Sequence, residues 1–274
     1  MSSTEEVEAN NPKEMITQVK IPKKQIIVDD ICVSFNSDDF KHISKENYWY
    51  DDNVMDAICG LININKNQEN MFFEKIPVVI ENEENTIIPN IMDASEPMMG
   101  NENVYCRQVQ EFIGNQGFGH FLHMVIHKEE KKLILVETCP RDIKLAQYKY
   151  KRMFSIVLQK IGWVDTEESQ TMKNIEFKTS NRKRKSNTDS NEKWCLKHFG
   201  LRVPKEVKPT CGPVAIKALE FTCKGGVNWS QFVKDTKLGK VQQQVVNFFK
   251  NMLLKHLQDM TKNKNNWITV IGVI

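Results

Sequence analysis

The sequence predicts an α+β fold in which a short central mixed sheet is flanked by helices. Two apolar runs, residues 120–127 and 132–138, are joined by the charged turn KEEK, a pattern typical of two paired strands. Segments with apolar residues at helical spacing occur both before and after this pair. The chain has 274 residues, of which 40% are hydrophobic, so it can bury a substantial core.

The N-terminal part begins with residues 1–22, which we expect to be disordered because they are polar and charged with little periodicity. Residues 24–36 then have the composition of one or two short strands. Residues 49–64 have apolar side chains at helical spacing, together with aspartates that can cap a helix. The next predicted strands, 76–80 and 86–91, are each limited by a proline.

The second half of the chain continues this alternation of helices and strands. The run 132–138 is almost continuously apolar, which favours a central position in the sheet. The remaining predicted elements are helices over 144–161, 211–223 and 240–257 and strands over 195–203 and 267–274.

Residues 165–194 differ from their surroundings, with few apolar side chains and many Ser, Thr, Asn, Lys and Arg. We predict a basic, flexible insertion there, within a single domain that covers residues 23–274. A basic run in this segment could act as a nuclear import signal or a phosphate-binding patch, and could equally be a solvated surface. The run consists of Arg182, Lys183, Arg184 and Lys185.

The charge balance and the cysteines limit the compartment and the partners. With 38 basic and 35 acidic residues the net charge is +3, so nucleic acid is not the expected partner. Seven cysteines, an odd number, argue against a disulfide framework and indicate a reducing compartment, the cytoplasm or nucleus. We expect neither secretion nor membrane insertion, because no apolar segment is long enough for either.

Cys211 is the strongest candidate for a catalytic residue. A thiol attacks carbonyl carbons as the thiolate, and cysteine is mostly protonated at neutral pH, so a nucleophile needs activation. Cys211 opens the predicted helix 211–223, where unpaired backbone N–H groups and the helix dipole favour negative charge. These N–H groups could also bind an oxyanion, and Gly212 permits close approach of a substrate. The alternative is a buried structural cysteine.

His120 is the candidate base, because it begins a strand after a glycine-rich turn. Glu137 stands 17 positions later, at the end of the neighbouring strand, where its carboxylate could orient the imidazole. His123 and His127 are competitors, but His120 and His123 point to opposite faces of a strand. A zinc site formed by the three histidines is not expected, because one strand cannot bring them together. His120 could also be structural, and Glu137 a solvated strand end.

The chain order His, acid, Cys resembles the ubiquitin-like-protein-specific proteases and the adenovirus-type proteases, which share a permuted papain-like core. Three segments carry the resemblance: WYDDNVMDAICGLI (49–62), GHFLHMVIHKEEKKLILVET (119–138) and VPKEVKPTCGPVAIKALEF (203–221). The resemblance implies a papain-like cysteine protease core with a Cys-His-Glu triad. The residues implied to contact substrate are Trp49, Gly212 and Phe121.

Four positions depart from the pattern of this family. Phe121 replaces the tryptophan that usually follows the histidine, and Thr210 replaces an aspartate before the nucleophile. Glu137 replaces the commoner aspartate, although adenovirus-type members use glutamate. Lys205 stands where the family has the glutamine of the oxyanion hole. Its ammonium could donate to an oxyanion, but the side chain is long and normally solvated.

The resemblance implies hydrolysis of peptide or isopeptide bonds through a thioester at Cys211, without a cofactor. One implied substrate is a SUMO-type ubiquitin-like modifier, whose Gly-Gly tail would enter a channel roofed by Trp49. A viral or transposon polyprotein is the other. Two further interpretations stay open: a pseudoprotease that binds a ubiquitin-like partner without cleaving it, which Lys205 favours, and a basic nucleic-acid-binding factor.

Overall fold

The computed structural model describes residues 50, 52–64, 71–81, 86–89, 102–112, 119–138, 143–178, 193–203 and 210–262. The strands in these ranges are β1 (Met71–Glu81), β2 (Thr86–Pro89), β3 (Val104–Phe112), β4 (Gly119–His127), β5 (Lys132–Glu137), β6 (Ile175–Lys178) and β7 (Trp194–Gly200). The helices are α1 (Asp52–Ile64), α2 (Ile143–Lys160), α3 (Glu168–Lys173), α4 (Cys211–Cys223), α5 (Trp229–Asp235) and α6 (Leu238–Lys262).

All seven of these strands belong to one mixed sheet, in the order β2-β1-β3-β4-β5-β7-β6. Strand β4 lies in the middle and is antiparallel to both β3 and β5. On the other side of β5, the pairs β5–β7 and β6–β7 are parallel. The mixed sheet with flanking helices that the sequence predicts is therefore confirmed.

The β4–β5 hairpin carries apolar side chains on both faces of the sheet. Phe121 and Val136 belong to a core shared with α1, α4 and α6, whereas Leu122 and Leu135 belong to a core shared with α2. Burial on both faces explains why the second run of the hairpin is apolar at nearly every position. The turn between the strands has Lys131 in the left-handed region, at φ 44°.

Helix α4 lies across β4 and has the bounds predicted from the sequence. Most of its residues are buried, which accounts for the lack of a polar face in its sequence. Pro213 occupies the first turn, where the missing N–H costs no helical hydrogen bond. This placement puts the first residue of α4, Cys211, beside the sheet.

Several elements differ from the prediction in extent. Strand β1 runs from Met71 to Glu81 through Pro77, so this proline does not limit it. The pairing of β1 with β3 shifts register between Glu74 and Val78, and such irregularities are where strands accept proline.

Strand β3 and helix α5 were not predicted. In β3 the inward-facing positions include charged and amide side chains, which hide the apolar alternation.

The predicted insertion over 165–194 is wrong for its first half. Residues 168–178 form α3 and β6, and β6 extends the sheet by pairing in parallel with β7. Thr171 and Ile175 are buried there, and Phe177 packs against the core, so this polar segment is anchored to the domain. The rest of the insertion, with its basic run, lies outside the described residues, as do the predicted elements at 24–36 and 267–274 and the N-terminal segment 1–22.

None of the described helices combines the length and the apolar character needed to span a membrane.

Candidate active site

Cys211 is the first residue of α4, has a free thiol and is 7% exposed as a residue. Thr210 precedes the helix and accepts a hydrogen bond from the N–H of Val214 at 2.9 Å through its carbonyl oxygen. No acidic side chain lies in the first turn, so no nearby carboxylate on this helix opposes a negative charge on the sulfur. The amide of Gly212 and the backbone of Phe121 hydrogen-bond to Cys211.

His120 is the second residue of β4, at the end of the sheet where α4 begins, and it hydrogen-bonds to Cys211. Its Nε2 atom lies 3.4 Å from Oε2 of Glu137, the last residue of β5. Because Nε2 is engaged by the carboxylate, Nδ1 is the ring nitrogen left for the thiol. The three residues predicted as a triad are thus brought together in the predicted order of contact.

The pKa values of the three groups favour a charged pair. Burial alone would lower the pKa of His120, but hydrogen bonds and charge from Cys211 and Glu137 outweigh it and raise this pKa to about 9. Burial would raise the pKa of Cys211, but the His120 hydrogen bond and charge and the two backbone contacts lower it below its usual range. The site therefore stabilises a thiolate beside an imidazolium.

The carboxylate of Glu137 has a second partner that the sequence analysis did not identify. Nε2 of His198, on β7, lies 2.5 Å from Oε1 of Glu137, and both side chains are almost fully buried. Burial alone would raise the pKa of Glu137, but the hydrogen bonds from His120 and His198 lower it. The carboxylate is therefore ionised at neutral pH, with one imidazole on each oxygen.

His198 could not be found by spacing, because 61 positions separate it from Glu137 and the intervening chain includes two helices and an edge strand. A lone histidine in an apolar strand is usually structural. The one usable signal is alternation: Trp194, Leu196 and His198 occupy one face of β7. That pattern identifies the face, but it does not identify the neighbour.

Gly212 is required by the protein's own packing. A Cβ atom built on it would lie 2.9 Å from Cβ of Tyr50, a distance that real Cβ atoms do not show. The space beside this glycine is therefore occupied by Tyr50, two residues before α1, and the contact of Gly212 with a substrate stays a prediction. Tyr50 itself is buried in the core under α4.

The remaining predicted substrate contacts are only partly described. The ring of Phe121 packs in the core below α4, so its backbone, rather than its ring, reaches Cys211. The contact of Phe121 with a substrate stays a prediction. Trp49 and Lys205 lie outside the described residues, and their roles stay predictions.

The other histidines of β4 do not meet Cys211. His123 faces the body of α4, where its Nε2 atom lies 3.0 Å from Oγ1 of Thr222 and its ring packs against Trp229. Its complete burial lowers the pKa to about 3, so it is neutral. His127 lies at the far end of the strand. In the described ranges no group of three His, Cys, Asp or Glu side chains is arranged to hold a metal ion.

No family model matches this sequence, and no curated protein matches it either. Solved structures match the fold. The C-terminal Ulp1 protease domain in complex with Smt3, the yeast orthologue of SUMO, superimposes with a TM-score of 0.52 at 11% identity, covering 89% of this chain and 94% of that one. The SUMO protease Ulp1 with its catalytic cysteine oxidised to a sulfenic acid gives 0.52 at 12% identity, covering 90% and 94%. The chain therefore has the papain-like fold of this ubiquitin-like-protein protease.

Proposed function

We propose that this protein is a cysteine peptidase that hydrolyses peptide or isopeptide bonds at the C-terminal tail of a ubiquitin-like modifier. One observation carries the proposal: the thiol of Cys211, at a helix N-terminus, hydrogen-bonds to His120, which is in turn held by the buried carboxylate of Glu137. A nucleophile, a base and an orienting acid in mutual contact are the constellation that acyl transfer requires.

The first half of the reaction forms a thioester. The thiolate of Cys211 attacks the carbonyl carbon of the scissile bond, and the carbonyl π electrons move onto its oxygen. The tetrahedral intermediate collapses by breaking the C–N bond, and His120 gives its proton to the departing amine nitrogen. Glu137 stabilises the imidazolium before this transfer and keeps the ring in the tautomer that follows it.

The second half returns the enzyme to its starting state. Neutral His120 takes a proton from a water molecule as the water oxygen attacks the thioester carbonyl carbon. Breaking the C–S bond releases the acid and regenerates the thiolate of Cys211 beside the imidazolium of His120. Protons balance over the cycle, because the proton lost to the amine is replaced from water.

The oxyanion of each intermediate needs donors at the start of α4. In the first turn, Pro213 has no N–H and the N–H of Val214 is bonded to Thr210. The N–H of Gly212 points to the sulfur of Cys211. We assign the N–H of Cys211 to the oxyanion, with Lys205 as the second donor implied by the family resemblance.

The substrate class rests on the fold and on the resemblance of the site segments. The structurally similar Ulp1 domain was solved with Smt3, the yeast orthologue of SUMO. A modifier of that kind ends in a flexible tail, and an extended tail suits a buried nucleophile such as Cys211. A polyprotein substrate with small residues at the cleavage site would meet the same requirement.

A second candidate, a pseudoprotease, is favoured by one feature. Lys205 replaces the oxyanion glutamine, and a solvated lysine would leave the oxyanion with fewer fixed donors. Such a protein would bind a ubiquitin-like partner and leave its tail intact. The pKa shifts of Cys211 and His120 argue for the enzyme, because binding alone does not need an activated thiol.

A tail-directed probe tests the proposal. The full chain is incubated with ubiquitin-like modifiers carrying a vinyl sulfone after Gly-Gly, and covalent capture is located by peptide mass spectrometry. Wild type and Cys195→Ala are expected to form the adduct and Cys211→Ala is not. Cys195 is a matched control, because it is another free cysteine and is more exposed than Cys211.

Three results would count against a peptidase that acts through Cys211 on the tail of a ubiquitin-like modifier. Capture that persists in folded Cys211→Ala would show that Cys211 is not the nucleophile. Saturable binding of the modifier without capture would favour the pseudoprotease. Capture by peptides with small residues at the cleavage site, but by no modifier, would favour a polyprotein substrate.

A further inference from the structure

Glu137 lies between two histidines that come from its two neighbouring strands. Strand β5 pairs with β4 on one side and with β7 on the other. In the parallel pair, Leu135 is opposite His198, so His198 is a diagonal neighbour of Glu137 on the same face of the sheet. His120 occupies the corresponding place on β4 and contacts the other carboxylate oxygen.

The two contacts fix the plane of the carboxylate. A carboxylate with one partner can rotate about its last torsion, whereas donors on both oxygens define a single orientation. The shorter contact is the one to His198, at 2.5 Å against 3.4 Å for His120. The carboxylate is thus held from the side away from the thiol as well as from the side of His120.

His198 is itself held in place by the helix above it. Its ring stacks on Tyr150 of α2, with centroids 6.2 Å apart and planes 17° apart. Its side chain is 3% exposed and that of Glu137 is 1% exposed, so water does not compete for this hydrogen bond. The reaction outlined above uses Cys211, His120 and Glu137. It assigns no role to the imidazole of His198.

We propose that His198 is a positioning residue for the chemistry at Cys211: its Nε2–H holds Glu137 in the orientation in which Oε2 accepts the hydrogen bond of His120. For hydrolysis, this inference rests on the proposed function. For the reactivity of the thiol it stands on geometry alone, because an ionised and oriented Glu137 stabilises the imidazolium of His120, and that imidazolium stabilises the thiolate.

Loss of the His198 donor has a definite direction of effect. Among the described residues, Glu137 contacts His120 from β4 and His198 from β7, with Tyr150 of α2 behind His198. On the other side of His120, Glu111 of β3 lies opposite it and is paired with Lys149 of α2. Without the second donor, Glu137 is less acidic and free to turn, and the charged thiolate–imidazolium pair is less populated. The pH at which Cys211 becomes reactive therefore rises.

Two substitutions at His198 distinguish the effect of its N–H donor from the effect of its aromatic ring. His198→Phe keeps an aromatic ring for Tyr150 and removes the donor, whereas His198→Gln can return an amide N–H at about the distance of Nε2. Each full-length variant is alkylated with iodoacetamide over a range of pH, and kcat/KM is measured on a Gly-Gly-ended fluorogenic substrate. Circular dichroism and urea unfolding report folding, and His198→Asn, whose amide is too short, replaces His198→Phe if the latter does not fold.

We expect His198→Phe to shift the alkylation midpoint upward by about one pH unit. Its kcat/KM should fall about tenfold to hundredfold, the size of loss that follows removal of the hydrogen-bond partner behind a metal-binding side chain. His198→Gln should restore most of both. A folded His198→Phe, or the folded Asn variant, with the wild-type alkylation profile overturns the inference, and so does a folded His198→Gln that is no better than the variant without a donor.

The alkylation measurement separates this inference from the proposed function. If the wild type neither cleaves the Gly-Gly-ended substrate nor forms an adduct with the vinyl sulfone probes, the peptidase proposal fails. The comparison of His198→Phe with His198→Gln still decides the positioning role, because iodoacetamide needs only the thiolate of Cys211.

Discussion

His120 and Glu137, the second residue of β4 and the last of β5, join their side chains at 3.4 Å across the open end of a hairpin. The four-residue turn at the other end of the hairpin sets this relationship, because it fixes which residues are opposite each other. The hairpin also orients the ring, since Nε2 contacts the carboxylate and Nδ1 is left for Cys211.

Glu137→Gln should leave the fold intact and remove most of the activity. The amide can still contact His120 but no longer stabilises its imidazolium, and it favours the wrong tautomer. We expect kcat/KM to fall by about a hundredfold to ten-thousandfold, as for the corresponding change in a serine protease triad. Glu176→Gln is the matched control, because Glu176 is a half-exposed strand residue paired with Lys193. Equal kcat/KM for Glu137→Gln and wild type would exclude an acid role.

At alkaline pH, the activity should fall as the imidazolium of His120 loses its proton. Its raised pKa of about 9 means that the imidazolium persists well above its usual range of about 6.5 and is lost as the pH rises through 9. The charged pair should therefore stabilise the fold below about pH 6.5, with that contribution lost on the way to pH 9. In Cys211→Ala the largest favourable partner is gone, so the His120 pKa, followed by NMR of its ring protons, should fall. A His120 pKa that is unchanged by this substitution contradicts the pair.

His123 should behave in the opposite way. Its pKa of about 3 means that the folded protein excludes a proton that the unfolded chain binds below about pH 6.5. Stability from a neutral His123 is therefore present above pH 6.5 and is lost as the pH falls toward 3. Between about pH 7 and about pH 5 the loss should be roughly 2 kcal/mol. In urea unfolding, the free energy of unfolding of His123→Gln should fall less over this pH interval than that of wild type. If the free energy of unfolding changes equally with pH in both proteins, His123 is already charged in the folded state.

Gly212→Ala should destabilise the protein and lower the reactivity of Cys211. The new Cβ would lie 2.9 Å from Cβ of Tyr50, a short and rigid neighbour, so α4 or the segment before α1 must move. Overpacking of this kind costs about 1–3 kcal/mol. Gly239→Ala is the control, since nothing lies within 4 Å of its added Cβ in α6, and it should be neutral or slightly stabilising. Similar urea midpoints for the two variants would contradict the close contact.

The sequence was informative where contacts are local and weak where they are not. His120 and Glu137 could be paired because one short turn joins their strands, and Cys211 could be placed because a helix start is visible in the sequence. His198 was missed because its contact with Glu137 depends on a parallel pairing reached after a long connection. Gly212 was identified, but its neighbour, Tyr50, depends on how α1 packs on α4, and helix packing leaves no local signature.

The elements of the fold were also predicted best where their sequence pattern is local. The β4–β5 hairpin and α4 were predicted nearly to the residue, since both are apolar and bounded by clear turn signals. Strand β3 was missed because Arg107 and Glu111 are buried on it, and buried charged residues disguise a central strand. The segment that forms α3 and β6 was taken for an insertion, because its small share of the core is carried by Thr171 and Ile175.

The most direct test of the peptidase is cleavage of an isopeptide-linked conjugate of a ubiquitin-like modifier and a lysine peptide, followed by intact mass. With wild type, we expect release of the free modifier and a transient enzyme–modifier thioester that hydroxylamine removes. With folded Cys211→Ala, we expect neither. Release of the modifier by Cys211→Ala at the wild-type rate would contradict the central role of Cys211.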